Sequence, residues 1–153
     1  METEVTSYLD KLNVPYAIKP HSKKLYTVEE VAADRGIALS QILKTMILTN
    51  GEGKYIALLL PGDVQLSWRK LKDIAGKGYR MVAIEEVERL TNFEVGAVSP
   101  VTLKEKGMQL YLDQNALAAK LVDISSGIHE AGIQLAISDL QQICDAEVVD
   151  LGK

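Results

Sequence analysis

Two apolar, β-rich segments joined by a short glycine-containing loop constrain the fold more than any other feature of the chain. Residues 42–49 and 55–60 are dominated by leucine, isoleucine and threonine, and Asn50-Gly51-Glu52-Gly53 lies between them. Such segments favour β-strands, and the two glycines permit the positive φ angles that a hairpin loop needs. The sequence therefore predicts a hairpin at the centre of the molecule.

Cap signals place three helices around this hairpin. Thr27-Val28-Glu29-Glu30 has the form of a capping box, and Gly36 can end that helix in a left-handed conformation. Ser67 can cap another helix, and Ser138-Asp139-Leu140-Gln141 is a second capping box that predicts the last helix. Apolar spacing predicts the remaining elements, which are helices over residues 5–12 and 85–90 and strands over residues 16–19, 80–83, 109–112, 121–125 and 133–137.

The order of these elements indicates the fold class. Hairpin-like links outnumber crossover links, and no repeat, low-complexity tract or linker interrupts residues 1–153. A doubly wound parallel sheet would require crossovers. We therefore expect a single α+β domain over residues 1–153, with a mixed, mainly antiparallel sheet or a barrel-like core surrounded by helices.

Composition excludes several classes of protein. A net charge of -4 and a pI near 5.2 do not suit a protein that grips DNA or long stretches of RNA. The apolar runs are too short to cross a bilayer and the first residues lack signal-peptide features, so we expect a cytoplasmic protein without a membrane partner. One cysteine and two distant histidines provide neither a disulfide nor a zinc-ligand spacing, so we expect no metal and no other cofactor.

Positive charge is nevertheless concentrated locally. The groups of cations are Lys19 with Lys23 and Lys24, then Arg69 with Lys70, Lys72, Lys77 and Arg80, and finally Lys104 with Lys106. A solvated surface is the common meaning of such groups, and contact with phosphate is the alternative. If they bind tRNA, the binding should be weak and salt-sensitive, because few cations are available.

Lys44 is the most informative single residue. Alternation places it on the same strand face as Met46 and Leu48, among apolar neighbours. A buried ammonium needs a partner, so such a lysine either extends its charge to solvent at a strand end or serves a site with an anionic or carbonyl ligand. Spacing alone favours the first alternative.

Two loops have compositions that suit a binding site. In Gly96-Ala97-Val98-Ser99-Pro100, glycine allows close approach of a ligand and proline fixes the far end, so exposed amides could bind a carbonyl oxygen or a phosphate. Ser125-Ser126-Gly127-Ile128-His129 lies between two predicted strands. Taken separately, the first pattern is more commonly an ordinary turn and the second is more commonly a flexible hairpin end.

Taken together and in order, these segments resemble the YbaK/EbsC family of tRNA-editing domains. The resemblance extends from about Val14 to Asp150 and rests on Lys44-Thr45, Leu60-Pro61-Gly62-Asp63, residues 91–100, Asp113, Gly127 and the last helix. Members occur as insertions in bacterial prolyl-tRNA synthetases and as freestanding proteins that clear mischarged tRNA(Pro). The resemblance implies a freestanding aminoacyl-tRNA deacylase that acts at the acceptor end of mischarged tRNA, with prolyl-tRNA synthetase as a potential partner.

The resemblance also implies roles for individual residues. Lys44 matches the family's essential lysine, and Gly96 and Pro100 match its GxxxP element, whose backbone helps to hold the aminoacyl ester. His21 matches a histidine often found near the pocket, although a lone imidazole is as commonly structural. The other residues assigned to substrate binding are Thr45, Ala97, Val98, Ser99, Asp113 and Gly127. In this scheme Lys44 and the Gly96 loop supply the catalytic electrostatics, and a ribose hydroxyl assists the attacking water.

Some positions depart from the family pattern. Asn92 and Ala97 stand where many members have glycine, which leaves open whether cysteine, alanine or another small amino acid is removed. A noncatalytic module that binds tRNA or a synthetase is the rival interpretation, and the retention of Lys44 argues against it. No serine has a histidine and an acid as sequence partners, and Cys144 is expected in the core, so we predict no nucleophile.

Overall fold

A five-stranded sheet and a three-stranded sheet form the framework of the computed structural model, which describes residues 1–153. The strands are β1 (Ala17–Pro20), β2 (Leu43–Thr49), β3 (Tyr55–Pro61), β4 (Arg80–Met81), β5 (Gln109–Asp113), β6 (Leu121–Ser125), β7 (Ala131–Ala136) and β8 (Glu147–Val149). The helices are α1 (Glu4–Lys11), α2 (Val28–Arg35), α3 (Trp68–Ala75), α4 (Ile84–Thr91) and α5 (Ile137–Cys144). None of these helices is long and apolar enough to cross a membrane.

The predicted hairpin is confirmed and forms the centre of the larger sheet. Its strand order is β4-β2-β3-β5-β8. Strands β2 and β3 are antiparallel with Lys44 opposite Leu60, whereas β5 runs parallel to β3 and β8 runs parallel to β5. In the hairpin loop, Gly51 and Gly53 have φ angles of 78° and 85°, which residues with side chains rarely adopt. The larger sheet is therefore mixed.

The smaller sheet is antiparallel and has the order β1-β7-β6. It meets the larger sheet through a single bridge between Ile42 and Asp123. The α+β class with mixed sheets is thus confirmed, but the sheets do not close into a barrel. One bridge is too little pairing for closure, which requires continuous strand pairing around the whole circumference.

Alternation along the central strands divides the apolar side chains between two cores. Leu43, Ile47 and Leu59 face the larger core, which α1, α4 and α5 cover together with the smaller sheet. Leu48 and the neighbouring even-numbered side chains of β3 face a smaller core closed by Leu71 of α3. Burying one such side chain stabilises the fold by about 1.5–3 kcal/mol, so both faces of the central hairpin are strongly fixed.

Local cap signals predicted the first two of the three capped helices correctly. Thr27 Oγ1 accepts a hydrogen bond from Glu30 N at 3.1 Å, and Gly36 ends α2 with a φ of 66°. Ser67 Oγ accepts from Lys70 N at 3.3 Å and caps α3. Residues close in sequence make these contacts, so the sequence contains the information that specifies them.

The predicted capping box at Ser138 is wrong. Helix α5 begins at Ile137, directly after β7, and no side chain caps it. The Ile137 N–H donates instead to Lys120 O at 2.9 Å, a contact from a distant part of the chain. Strand β8 was not predicted, because three residues are too few to show a period-2 alternation.

Candidate functional site

A cavity of about 370 Å³ lies where strands of both sheets meet α2 and α4. Sixteen of its 25 lining residues are hydrophobic. A largely apolar cavity of this size with a few polar groups is the usual form of a small-molecule site. No group of three or more His, Cys, Asp or Glu side chains is placed to hold a metal ion. The polar groups that line the cavity are therefore the candidates for chemistry.

One wall of the cavity is the open edge of β2, defined here as residues 43–47. β4 pairs only with Leu48 and Thr49, so between the Ile42–Asp123 bridge and the Ile47–Val82 hydrogen bond this stretch has β3 on one side and the cavity on the other. Ile42 O accepts from Gly62 N on the β3 side, whereas Ile47 O accepts from Val82 N on the opposite side. Because main-chain groups alternate along a strand, the Thr45 N–H and C=O point away from β3, toward the cavity. They are available to a ligand.

Lys44 lines the cavity at this open edge. Its side chain is partly buried and takes part in none of the six ion pairs of the protein. An ammonium without an internal partner, beside apolar walls, attracts an anionic or carbonyl oxygen more strongly than it would in bulk water. Lys44 thus lies on the cavity wall without an ion-pair partner, which both alternatives allow.

The loop of residues 94–100 forms the facing wall through Gly96 and Val98. Gly96 has a φ of 86°, and a Cβ atom there would lie 2.9 Å from Tyr26 O. Glycine is required on both grounds, since a side chain would be strained and would collide with a backbone oxygen. Ala97 and Ser99, by contrast, are buried and do not line the cavity.

His129 fastens this loop to the segment before α2. Its Nδ1 lies 3.2 Å from Leu25 O and its Nε2 lies 3.1 Å from Glu94 Oε2. The ring also stacks obliquely on Tyr26, with 4.3 Å between centroids. From the sequence, His129 was considered as a zinc ligand, which its spacing excluded, and as the last residue of the candidate loop 125–129. The structure instead places it behind the loop, where it fixes the position of Gly96.

A buried ion pair forms the floor of the cavity. Val28, Val31 and Arg35 follow helical spacing along α2 and line the cavity, which explains why α2 has no fully buried residue. The Arg35 guanidinium donates to the Asp123 carboxylate, and the two side chains are 9% and 3% exposed. Neither residue was predicted from the sequence. Asp123 did carry a signal, because it is a lone acid inside the apolar strand Leu121–Ser125.

The residues that the resemblance assigned to the site are only partly brought together. Of these, the cavity is lined by Lys44, Thr45, His21, Gly96 and Val98 and not by Ala97, Ser99, Pro100, Asp113 and Gly127. The buried Asp113 carboxylate accepts from Leu151 N at 2.9 Å and from Asn115 Nδ2 at 2.9 Å, so it stabilises the chain turn after β5. A Cβ at Gly127 would lie 2.9 Å from the Phe93 ring. Asp113 and Gly127 therefore lie outside the cavity, where their contacts stabilise the surrounding chain.

Cys144 supports the same loop from the core. Its thiol donates to Pro100 O at 3.6 Å, and burial raises the pKa of the Cys144 thiol to about 12. At neutral pH almost no thiolate forms, so we expect iodoacetamide to leave the folded protein unlabelled and to label it only after unfolding. Mass spectrometry measures both. Rapid labelling of the native protein would contradict the buried, unreactive position.

Comparison with known proteins identifies a family for this architecture. A family model described as an aminoacyl-tRNA editing domain matches residues 22–143. The "Putative Cys-tRNA(Pro)/Cys-tRNA(Cys) deacylase EbsC" of Enterococcus faecalis is 24% identical over 153 residues, which cover 98% of this chain and 93% of that protein. The proline–tRNA ligase of Solidesulfovibrio magneticus is 32% identical over 137 residues, which cover 88% of this chain.

The chain spans only a small part of the ligases that it matches. It covers between 14% and 22% of the length of such ligases from six bacteria. A solved structure described as a "putative trans-editing enzyme for prolyl tRNA synthetase" has a TM-score of 0.81 and 25% identity, and the match covers 100% of this chain and 99% of that one. The fold thus occurs both within long ligases and as a chain of this size.

Proposed function

This chain belongs to the family of aminoacyl-tRNA editing domains, and from that premise we propose that it is a freestanding deacylase that hydrolyses the ester of mischarged tRNA. The observation that carries the proposal is the meeting of Lys44, the open edge of β2 and Gly96 in one apolar cavity. The proposal includes residues 1–153 acting as one editing domain in the cytoplasm, where charged tRNA is found, with prolyl-tRNA synthetase as a partner.

The proposed chemistry needs no covalent intermediate. An aminoacyl ester is already activated, so orienting a water molecule and stabilising the developing oxyanion can be enough. Lys44, Gly96 and Val98 line the cavity, and the Lys44 ammonium with main-chain amides of this loop would supply that stabilisation. A ribose hydroxyl of the substrate would assist the attacking water. Ser99 and Cys144 are buried outside the cavity, which agrees with a mechanism without a protein nucleophile.

The proposed substrate is tRNA(Pro) that carries a small amino acid, with cysteine and alanine as the first choices. An apolar cavity excludes a side chain that is too large more sharply than it selects among smaller ones. The test is deacylation of tRNA(Pro) charged with cysteine, alanine or serine, beside correctly charged Pro-tRNA(Pro). We expect hydrolysis of at least one small ester and little hydrolysis of the prolyl ester. Binding of tRNA without any hydrolysis would favour the noncatalytic module instead.

The structure changes which cations are the best candidates for contact with tRNA. Arg69, Lys70 and Lys72 lie on α3, which covers the face of the larger sheet opposite the cavity side. Lys70 is moreover held by Asp150 Oδ1 at 3.0 Å and Gly152 O at 2.6 Å. Lys23 and Lys24 are exposed in the short segment between His21 and Leu25, which both line the cavity. Lys23 and Lys24 can therefore reach the phosphates of a bound acceptor end.

We therefore expect the double variant Lys23→Glu/Lys24→Glu to weaken tRNA binding, and to reduce the slope of log K against log salt by about 1 for each phosphate that is no longer neutralised. Fluorescence titration of aminoacylated tRNA at several salt concentrations measures the slope. The matched control is Arg69→Glu/Lys72→Glu on α3, which should have little effect. Equal effects of the two double variants would contradict the proposed orientation of tRNA.

A further inference from the structure

Two buried nitrogen atoms converge at the floor of the cavity without hydrogen-bond partners. They are Nη1 of Arg35 and Nε2 of His21. A Cβ atom built on Gly132 would lie 3.0 Å from the first and 3.4 Å from the second, so both nitrogens lie over the same glycine. All three residues line the cavity. Buried polar atoms without partners are rare in folded proteins and call for an explanation.

The hydrogen bonds around these atoms define their roles. His21 Nδ1 lies 3.1 Å from His129 O, a carbonyl that can only accept, so this nitrogen carries the proton. In the neutral ring, Nε2 is then an acceptor. Arg35 Nη1 can only donate, and Arg35 Nη2 is already bonded to Asp123. The floor of the cavity therefore contains one unpaired donor and one unpaired acceptor, both shielded from solvent.

A hydroxyl group satisfies both atoms, because it accepts one hydrogen bond and donates another. An anion is a poorer match, since it cannot donate to Nε2 and since Asp123 neutralises the Arg35 charge at this position. A methyl group would leave both nitrogens unpaired, so it would gain no free energy of hydrogen bonding from them. A thiol is a weak donor and a weak acceptor.

We propose that Arg35 and His21 form a hydroxyl-binding subsite, with Asp123 holding the guanidinium in place. The inference rests on the proposed function and refines its substrate class. The hydroxyl belongs either to the aminoacyl side chain, as in a seryl ester, or to the terminal ribose. In the first case the protein prefers serine to the similarly sized alanine, because sites built for a hydrogen bond reject analogues that lack it.

The experiment measures binding rather than hydrolysis. The probes are 3′-seryl and 3′-alanyl amides of 3′-amino-3′-deoxyadenosine, which keep the 2′-hydroxyl and cannot be hydrolysed as esters. We expect the wild-type protein to bind the seryl probe about 10- to 100-fold more tightly than the alanyl probe, the range for one satisfied pair of buried groups. Calorimetric titration gives both affinities.

Three variants test the two nitrogens separately. Arg35→Lys keeps a cation for Asp123 but has no second nitrogen to place over Gly132, so the preference for the seryl probe should disappear. His21→Asn keeps a donor for His129 O and removes Nε2, so it should also lose the preference, whereas His21→Gln can place an amide oxygen near Nε2 and should retain part of it. If Arg35→Lys melts too low to be used, the two His21 variants still decide the matter.

A third probe, the alanyl amide of 3′-amino-2′,3′-dideoxyadenosine, separates the two sources of the hydroxyl. If removal of the 2′-hydroxyl weakens binding to the wild-type protein but not to Arg35→Lys, the subsite holds the ribose. The inference is wrong if neither the seryl hydroxyl nor the 2′-hydroxyl increases the affinity of the wild-type protein. It is also wrong if any such increase is unchanged in the Arg35 and His21 variants. Serine selectivity in binding without hydrolysis of any small-amino-acid ester of tRNA(Pro) would support the subsite and contradict the deacylase proposal, so the two can fail independently.

Discussion

Replacing Lys44 with alanine is expected to slow single-turnover deacylation by about 10²-fold or more, the usual cost of removing one preorganised oxyanion-stabilising group. Lys44 lines the cavity and has no ion-pair partner in the protein, so its charge is free to act on the substrate. Removing a partly buried, unpaired ammonium also removes its desolvation cost. The melting temperature should therefore change little, and activity and stability should separate.

The variants for this test separate charge from packing. Lys44→Met keeps an unbranched apolar stem and should be as inactive as Lys44→Ala, whereas Lys44→Arg keeps the charge but presents a larger, planar group and should be a poor substitute. Lys54→Ala is the matched control, because Lys54 is exposed at the other end of the same hairpin. Circular dichroism and thermal melting report folding. Near wild-type rates for both Lys44→Ala and Lys44→Met would mean that the lysine only extends into solvent.

The parts of the fold that were predictable from the sequence are those determined by neighbouring residues. The cap formed by Thr27 and Glu30, the left-handed Gly36 and the hairpin loop with Gly51 all depend on contacts within a few residues. The start of α5 depends on Lys120, which is distant in sequence, and the failure to close a barrel depends on how the two sheets meet. Propensity and periodicity contain no information about such contacts.

The candidate site likewise contains residues that local sequence patterns identified and residues that they did not. Lys44 and Gly96 were identified from their own strand and loop, by resemblance to a family, and both line the cavity. Arg35 and Asp123 are 88 residues apart, and their pairing emerges only when α2 packs against the smaller sheet. A charged residue in an apolar strand indicates that a partner exists but cannot identify it. The polar floor of the cavity, on which selectivity would depend, was therefore not predictable from local patterns.

Replacing Gly96 with alanine is expected to be the most damaging change in the loop of residues 94–100. The new Cβ would lie 2.9 Å from Tyr26 O and 3.3 Å from His129 Cε1, so the loop and the segment before α2 must move apart. Because a misplacement of about 1 Å in a catalytic site can cost about 10²-fold in rate, we expect a loss of that order. Single-turnover deacylation of a small-amino-acid tRNA(Pro) measures it.

Gly53 provides the matched control for this substitution. Its φ of 85° is nearly the same as the 86° of Gly96, but a Cβ atom at Gly53 would have no neighbour within 4 Å. Gly53→Ala therefore carries the conformational cost of a left-handed alanine, about 1–2 kcal/mol, without any collision. We expect this control to melt at a lower temperature than the wild type and to keep its hydrolytic rate. Equal rates in the two variants would show that the contact with Tyr26 does not shape the site, whereas a slow Gly96→Ala beside an active Gly53→Ala assigns the loss to that contact.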